Sequence, residues 1–170
     1  MSPNTNIIAL LMRRDLRVSD HPVFHHLSTS SGHGFTHLLP IYAFPPFQVE
    51  VSGFIKDGTK SPYPEARSAI GGYWRCGPHR AKFLAESVWN VKESLEGLGS
   101  GLAIRVGAYK DVVQELVDAM KAHDHNLGAV WMVGHEGTEE VGDQQAVAAL
   151  CETEKVGFRL WTDEKYYIDE

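Results

Sequence analysis

The sequence predicts an α/β domain, a five-stranded parallel sheet with helices on both faces. Three observations carry that expectation. Five short apolar runs alternate with segments of helical periodicity, the pattern of successive β-α-β units with right-handed crossovers. The first run, Ile7–Met12, is six apolar residues without a break. That length suits a strand buried on both faces and is too short for a stable helix of its own. The run then stops at Arg13 and empties into a loop with three arginines and two aspartates between Arg13 and Asp20. In open α/β sheets ligands and partners gather at the carboxyl ends of the strands, so this loop is the first place to look for function. The plainer reading is that Arg13, Arg14 and Arg17 pair with Asp15 and Asp20 at the surface, where ion pairs contribute little.

Taken in order, Asp20 is placed as the N-cap of a helix over His21–Leu27, with Pro22 in the first turn, where a missing N–H costs little. Residues 28–34 are a Ser/Gly-rich loop, and His37–Phe44 is the second strand, with Pro40 expected at its start or at an irregularity. From Pro45 to Gly77 prolines and glycines prevent any sustained period, and a connection this long is usually a functional or covering loop. From Pro78 onward, Leu84, Val88, Val91, Leu95 and Leu98 recur at spacings of three and four, which predicts a long amphipathic helix ending at Gly97 or Gly99. Leu102–Val106 is the third strand. Asp111–Ala122 is a helix turning Val112, Val113, Leu116, Val117 and Met120 inward, and Ala129–Val133 is the fourth strand. Thr138 is expected to cap the next helix, with Glu139 and Glu140 in its first turn, where the dipole favours them. Phe158–Trp161 is the fifth strand.

At 170 residues the chain suits one domain (1–170), with its sheet core between about 7 and 161, able to bury roughly 70% of its unfolded surface. The net charge of -6 gives no electrostatic footprint for nucleic acid. Cys76 and Cys151 make neither a disulfide framework nor a zinc motif and read as reduced thiols, Cys151 in the core. No apolar run is long enough for a signal peptide or a membrane span, so a soluble intracellular protein is expected.

Specific chemistry is sparse. No P-loop and no G-x-G-x-x-G follows a strand. Gly134-His-Glu-Gly137 could offer backbone N–H groups to an anion, but it holds no basic residue, and Glu136, Glu139 and Glu140 oppose a phosphate there. His21 and His25 share a helix face beside His26, without the spacing of a metal site, and read as a solvated face. No nucleophile is framed by a base, and no residue is assigned a catalytic role. Glu136 is the carboxylate singled out. Three residues past a buried strand, it stands at the sheet's carboxyl edge, where it can accept hydrogen bonds from a ligand.

Four stretches, in order, resemble one family. Met12-Arg-Arg-Asp-Leu-Arg-Val-Ser-Asp20 is similar to the opening R-R-D-L-R signature of the DNA photolyase/cryptochrome family, and Leu39–Phe44 to its second strand. Gly77–Lys92 resembles G-P-x-R-x-x-F-L-x-E-S-V, and Leu98–Gly107 resembles L-G-S-x-L-x-x-R-x-G, wording that points to the cryptochrome DASH branch. Gly134–Glu140 is one residue shorter than the usual DASH loop, and Pro45-Pro-Phe47 replaces a common D-P-R.

The resemblance covers the chain from Ile7 and implies the family's Rossmann-like N-terminal α/β domain. It further implies that the helical domain binding FAD and receiving the damaged base is absent. The family couples blue-light absorption to repair of cyclobutane pyrimidine dimers, DASH members preferring single-stranded DNA. This chain alone is therefore expected to be inactive as a lyase and to reach DNA only through that helical partner domain, with no membrane and no metal. Glu136 matches the glutamate that contacts the antenna 5,10-methenyltetrahydrofolate. Arg13, Arg14, Asp15, Arg17 and Asp20 match a segment packed against the helical domain, and so take a structural and interdomain role. The family's electron-relay tryptophans belong to the helical domain, not to Trp74, Trp89, Trp131 or Trp161. Two other readings compete with this one. A nucleotide-binding enzyme would need a phosphate loop such as S-G-G-x-D-S or H-I-G-H, and neither occurs. A non-catalytic interaction module would leave a bare apolar patch of more than a few hundred Å².

Overall fold

A computed structural model describes residues 5–49, 67, 68 and 70–163, with the side chains of residues 47 and 48 excepted. Much of the irregular stretch expected over 45–77 lies outside these residues. The elements run β1 (Asn6–Met12), α1 (Pro22–Thr29), β2 (His37–Phe44), α2 (Pro46–Val49), α3 (Pro78–Gly97), β3 (Ala103–Val106), α4 (Tyr109–Ala122), β4 (Asn126–Val133), α5 (Thr138–Glu154) and β5 (Gly157–Trp161). The five strands form one sheet in the order β3-β2-β1-β4-β5, every pairing parallel. The predicted α/β class therefore stands.

The alternation of side chains along β1 builds both cores. Ile7, Ala9 and Leu11 face α4 and α5, packing with Val113, Val117, Val147 and Cys151. Ile8, Leu10 and Met12 face α1 and α3, packing with Val23, Val88, Val91 and Leu95. As the middle strand, β1 has no wet face, which is why its sequence is apolar throughout. The strand order reverses between β1 and β4, and that switch point opens a crevice at their carboxyl ends.

Several boundaries differ from expectation. His21, not Asp20, caps α1: its Nδ1 accepts the Val23 N–H at 3.2 Å, while Asp20 takes a left-handed φ of 57°. The ring nitrogen two residues before Val23 reaches that N–H as a short polar side chain would. Gly137, not Thr138, is the N-cap of α5, and the Glu140 carboxylate lies where a Cβ on Gly137 would stand. Pro40 lies inside β2, in register with Leu10, at a level that β3 does not reach because β3 pairs only Ile41–Phe44. The bulge falls elsewhere, between Ile7 and Ile8 against β4. Helix α3 ends as the glycines suggest. The Ser100 N–H reaches Leu95 O and the Gly99 N–H reaches Glu96 O, with Gly99 at φ 77°, a Schellman closure that leaves Leu98 exposed.

Candidate functional site

The parity of β1 continues past its end. Arg13 follows Leu11 on the α4/α5 side and is buried, 4% exposed. Its Nη2 donates to Val133 O at 3.1 Å and to Gln144 Oε1 at 2.9 Å, and its Nη1 to Glu140 O at 3.3 Å. The guanidinium lies 5.7 Å from the ring centroid of Tyr109. One side chain thus ties the ends of β1 and β4 to α5. Burial lowers the pKa of Arg13, with Tyr109, Asp143, Asp15 and Glu140 opposing that shift.

Asp15 is equally enclosed. Its Oδ1 accepts the Arg13 N–H at 3.0 Å, and its Oδ2 lies 2.7 Å from His21 Nε2. Because His21 Nδ1 already accepts the Val23 N–H, Nε2 is the nitrogen that donates to Asp15. Burial alone would raise the Asp15 carboxyl, but the hydrogen bonds from His21 and Arg13 outweigh it and hold the carboxyl below its ordinary range. The expectation of an exposed charged loop is therefore corrected for Arg13 and Asp15. A long guanidinium with neutral oxygens in reach, and a carboxylate with two donors, can be enclosed where isolated charges cannot. The solvated reading of His21 falls for the same reason, since the ring is 1% exposed.

The other charges pair outward, but not with each other. Arg14 pairs with Glu140, and Arg17 with Asp163, while Asp20 contributes its backbone carbonyl to Arg17. Arg14 is 65% exposed, so its ion pair contributes about 0–1 kcal/mol. Arg14→Ala is expected to shift thermal unfolding by no more than about 3 °C, measured by circular dichroism. A larger loss would mean the pair holds α5 in place.

Glu136 is exposed in the loop between β4 and α5 and makes no hydrogen bond or ion pair with the described residues. What precedes it is fixed. Buried Gln144 accepts the His135 N–H at 2.7 Å through Oε1 and donates Nε2 to His135 O at 3.0 Å. Gln144 therefore clasps the backbone one residue before Glu136 while also holding Arg13. The sequence reading missed it, because a glutamine inside an amphipathic helix gives no signal of facing a loop nine positions upstream.

Beside this clasp a cavity of about 160 Å³ opens at the switch point, lined by Arg13, Arg14, Arg75, Arg80, Tyr109, His135 and the acids Glu139, Glu140 and Asp143. Burial, then Arg13, lowers the pKa of His135; burial raises those of Asp143 and Tyr109, Tyr109 to about 12. Glu139 pairs with Arg75. Glu136 does not line the cavity. Among the described residues no three His, Cys, Asp or Glu side chains are grouped to hold a metal ion, and no helix is long and apolar enough to cross a membrane.

A parallel sheet ordered 3-2-1-4-5, with a crevice at its switch point, defines a Rossmann-like α/β domain. The DNA photolyase family model matches residues 8–164, and the chain belongs to that family. It is 53% identical over its full length to a protein named cryptochrome DASH, mitochondrial, from Neurospora crassa, and 52% identical over 96% of its length to a cryptochrome DASH from Gibberella zeae. It spans 23% of the length of each. The crystal structure of a Synechocystis sp. PCC6803 cryptochrome superposes with a TM-score of 0.72 at 20% identity, covering 95% of this chain and 28% of that one. That likeness is one of fold.

Proposed function

We propose that this chain is the antenna-side domain of a cryptochrome DASH, working with an FAD-binding helical domain in blue-light photoreception and light-driven repair of cyclobutane pyrimidine dimers, preferably in single-stranded DNA. The observation carrying the proposal is full-length similarity at 53% identity to a DASH protein of which the chain spans 23%. On this reading FAD and DNA are held by the helical domain, and the Arg13–Asp20 segment meets that domain through its exposed members Arg14 and Asp20.

The antenna is 5,10-methenyltetrahydrofolate, and Glu136 is its anchor. An exposed carboxylate on a clasped loop at the sheet's carboxyl edge suits two ring N–H donors, a charge-assisted contact of roughly 1.5–3 kcal/mol. When bound, the folate would absorb near-ultraviolet light and pass the energy to the flavin. Glu136→Gln keeps the shape but turns one acceptor into a donor, so one ring N–H loses its partner. Its expected effect is about a tenfold loss of affinity. The experiment joins this chain to a flavin-loaded DASH helical domain, titrates methenyltetrahydrofolate and follows folate-sensitised flavin photoreduction. Equal affinities for wild type and variant would remove Glu136 from the site. No sensitisation in either would end the antenna reading.

A further inference from the structure

We propose that Trp131 and Trp161 form an ultraviolet collector built into the sheet, which passes its excitation to the folate anchored at Glu136; the proposal rests on the folate reading above. Strand parity makes the pair. Trp131 lies in register with Arg159, and Val133 with Trp161, so both indoles and the guanidinium stand on the α1 face of the sheet. The indole centroids are 5.0 Å apart, with the rings inclined at 53°. Phe35 meets Trp131 edge-on at 5.6 Å, and the His26 ring lies 5.7 Å from Trp131 and 4.8 Å from Trp161. Arg159 covers the outer side, its guanidinium 3.7 Å from the Trp161 centroid and 5.6 Å from that of Trp131. The other two tryptophans each pair with a cation instead, Trp74 with Arg67 and Trp89 with Lys92.

Three properties suit the pair to collect light. Rings this close exchange excitation faster than either emits it. The Trp161 Nε1–H is buried without an acceptor among the described residues, so the excited indole lacks the hydrogen-bonded path by which such states are commonly lost. Position then supplies the direction of transfer. Trp161 O accepts the Gly134 N–H at 2.8 Å, and from Gly134 the chain reaches Glu136 in two residues, a span of no more than about 7 Å between α-carbons. Dipolar coupling between chromophores acts well beyond such a distance. Indoles emit in the near ultraviolet, where this folate absorbs, so donor and acceptor match in energy. No electron moves, and both rings are chemically unchanged after each transfer. The pair would extend light collection to wavelengths that the folate's own near-ultraviolet band leaves uncovered.

The test joins this chain to a flavin-loaded DASH helical domain, saturates it with methenyltetrahydrofolate and records flavin photoreduction against excitation wavelength, scaled to the folate's own band. Absorption by the folate, the flavin and the helical domain is common to every variant, so differences isolate the indoles of this chain. Trp161→Phe, at a half-buried position on an edge strand, should lower the indole band at least about twice as much as Trp89→Phe, although each removes one indole, because Trp161 stands nearest the loop of Glu136. Equal losses would overturn the proposal and leave the folate reading intact. Absence of the folate band from wild type would end both. If Trp161→Phe fails to fold, time-resolved indole emission of the unaltered joined protein decides. Fast depolarisation without folate and a shortened lifetime with it are expected, and a lifetime that folate leaves unchanged would overturn the proposal.

Discussion

Asp15→Ala is expected to lower the melting temperature of this domain by roughly 10 °C. The change strands two buried donors, His21 Nε2–H and the Arg13 N–H, each costing about 1–3 kcal/mol when unsatisfied. For a domain of this size each kcal/mol corresponds to about 2–4 °C. Asp15→Asn should cost about half as much, because the amide oxygen can accept from only one of the two donors and the NH2 group then faces the other. The pH dependence has a definite sign. The folded carboxyl is held below its ordinary value of 3.8, so its contribution is fully present above that value and is lost as pH falls below it. Acid titration of wild type and variant should converge below about pH 3.8 and stay apart above it. A loss of less than about 3 °C at neutral pH would show that the pair does not stabilise the loop.

Gln144→Leu should cost about 3 kcal/mol, near 9 °C, although leucine fits a helix well. Three groups lose partners together: the His135 N–H, the His135 carbonyl and Arg13 Nη2. Amide hydrogen exchange separates this from general destabilisation. The His135 amide should exchange at least tenfold faster than in wild type under conditions where amides of β1 remain protected. Unchanged exchange at His135 would mean the loop is held by something other than the clasp.

The sheet was legible because its signal is local. A buried strand announces itself in consecutive apolar residues, and the helices in a three-and-four spacing that contacts within each segment enforce. All five strands and the four longer helices lie where those signals put them, with ends shifted by at most three residues and β2 not at all. Helix caps were less legible. Asp20 and Thr138 have the preferred chemistry, yet His21 and Gly137 hold the positions, because the buried Asp15–His21 bond and the folded-back Glu140 decide there. The site was least legible. Arg13, Gln144 and the neighbours Arg75 and Arg80 come from three separate segments, and no short window holds all of them. Only the topology, which brings the ends of β1 and β4 together, makes them neighbours.

Pro40 carries a last consequence, for how copies of this domain behave in a crowded solution. The first half of β2 runs beyond the reach of β3, so one flank of it is left without a strand alongside. A bare flank of regular backbone is a template on which a foreign chain can add itself and begin an aggregate. Pro40 is itself buried, and without an N–H it offers no donor to such a chain. The residue that looked out of place inside a strand thus removes one donor from a level of β2 that has no strand beside it.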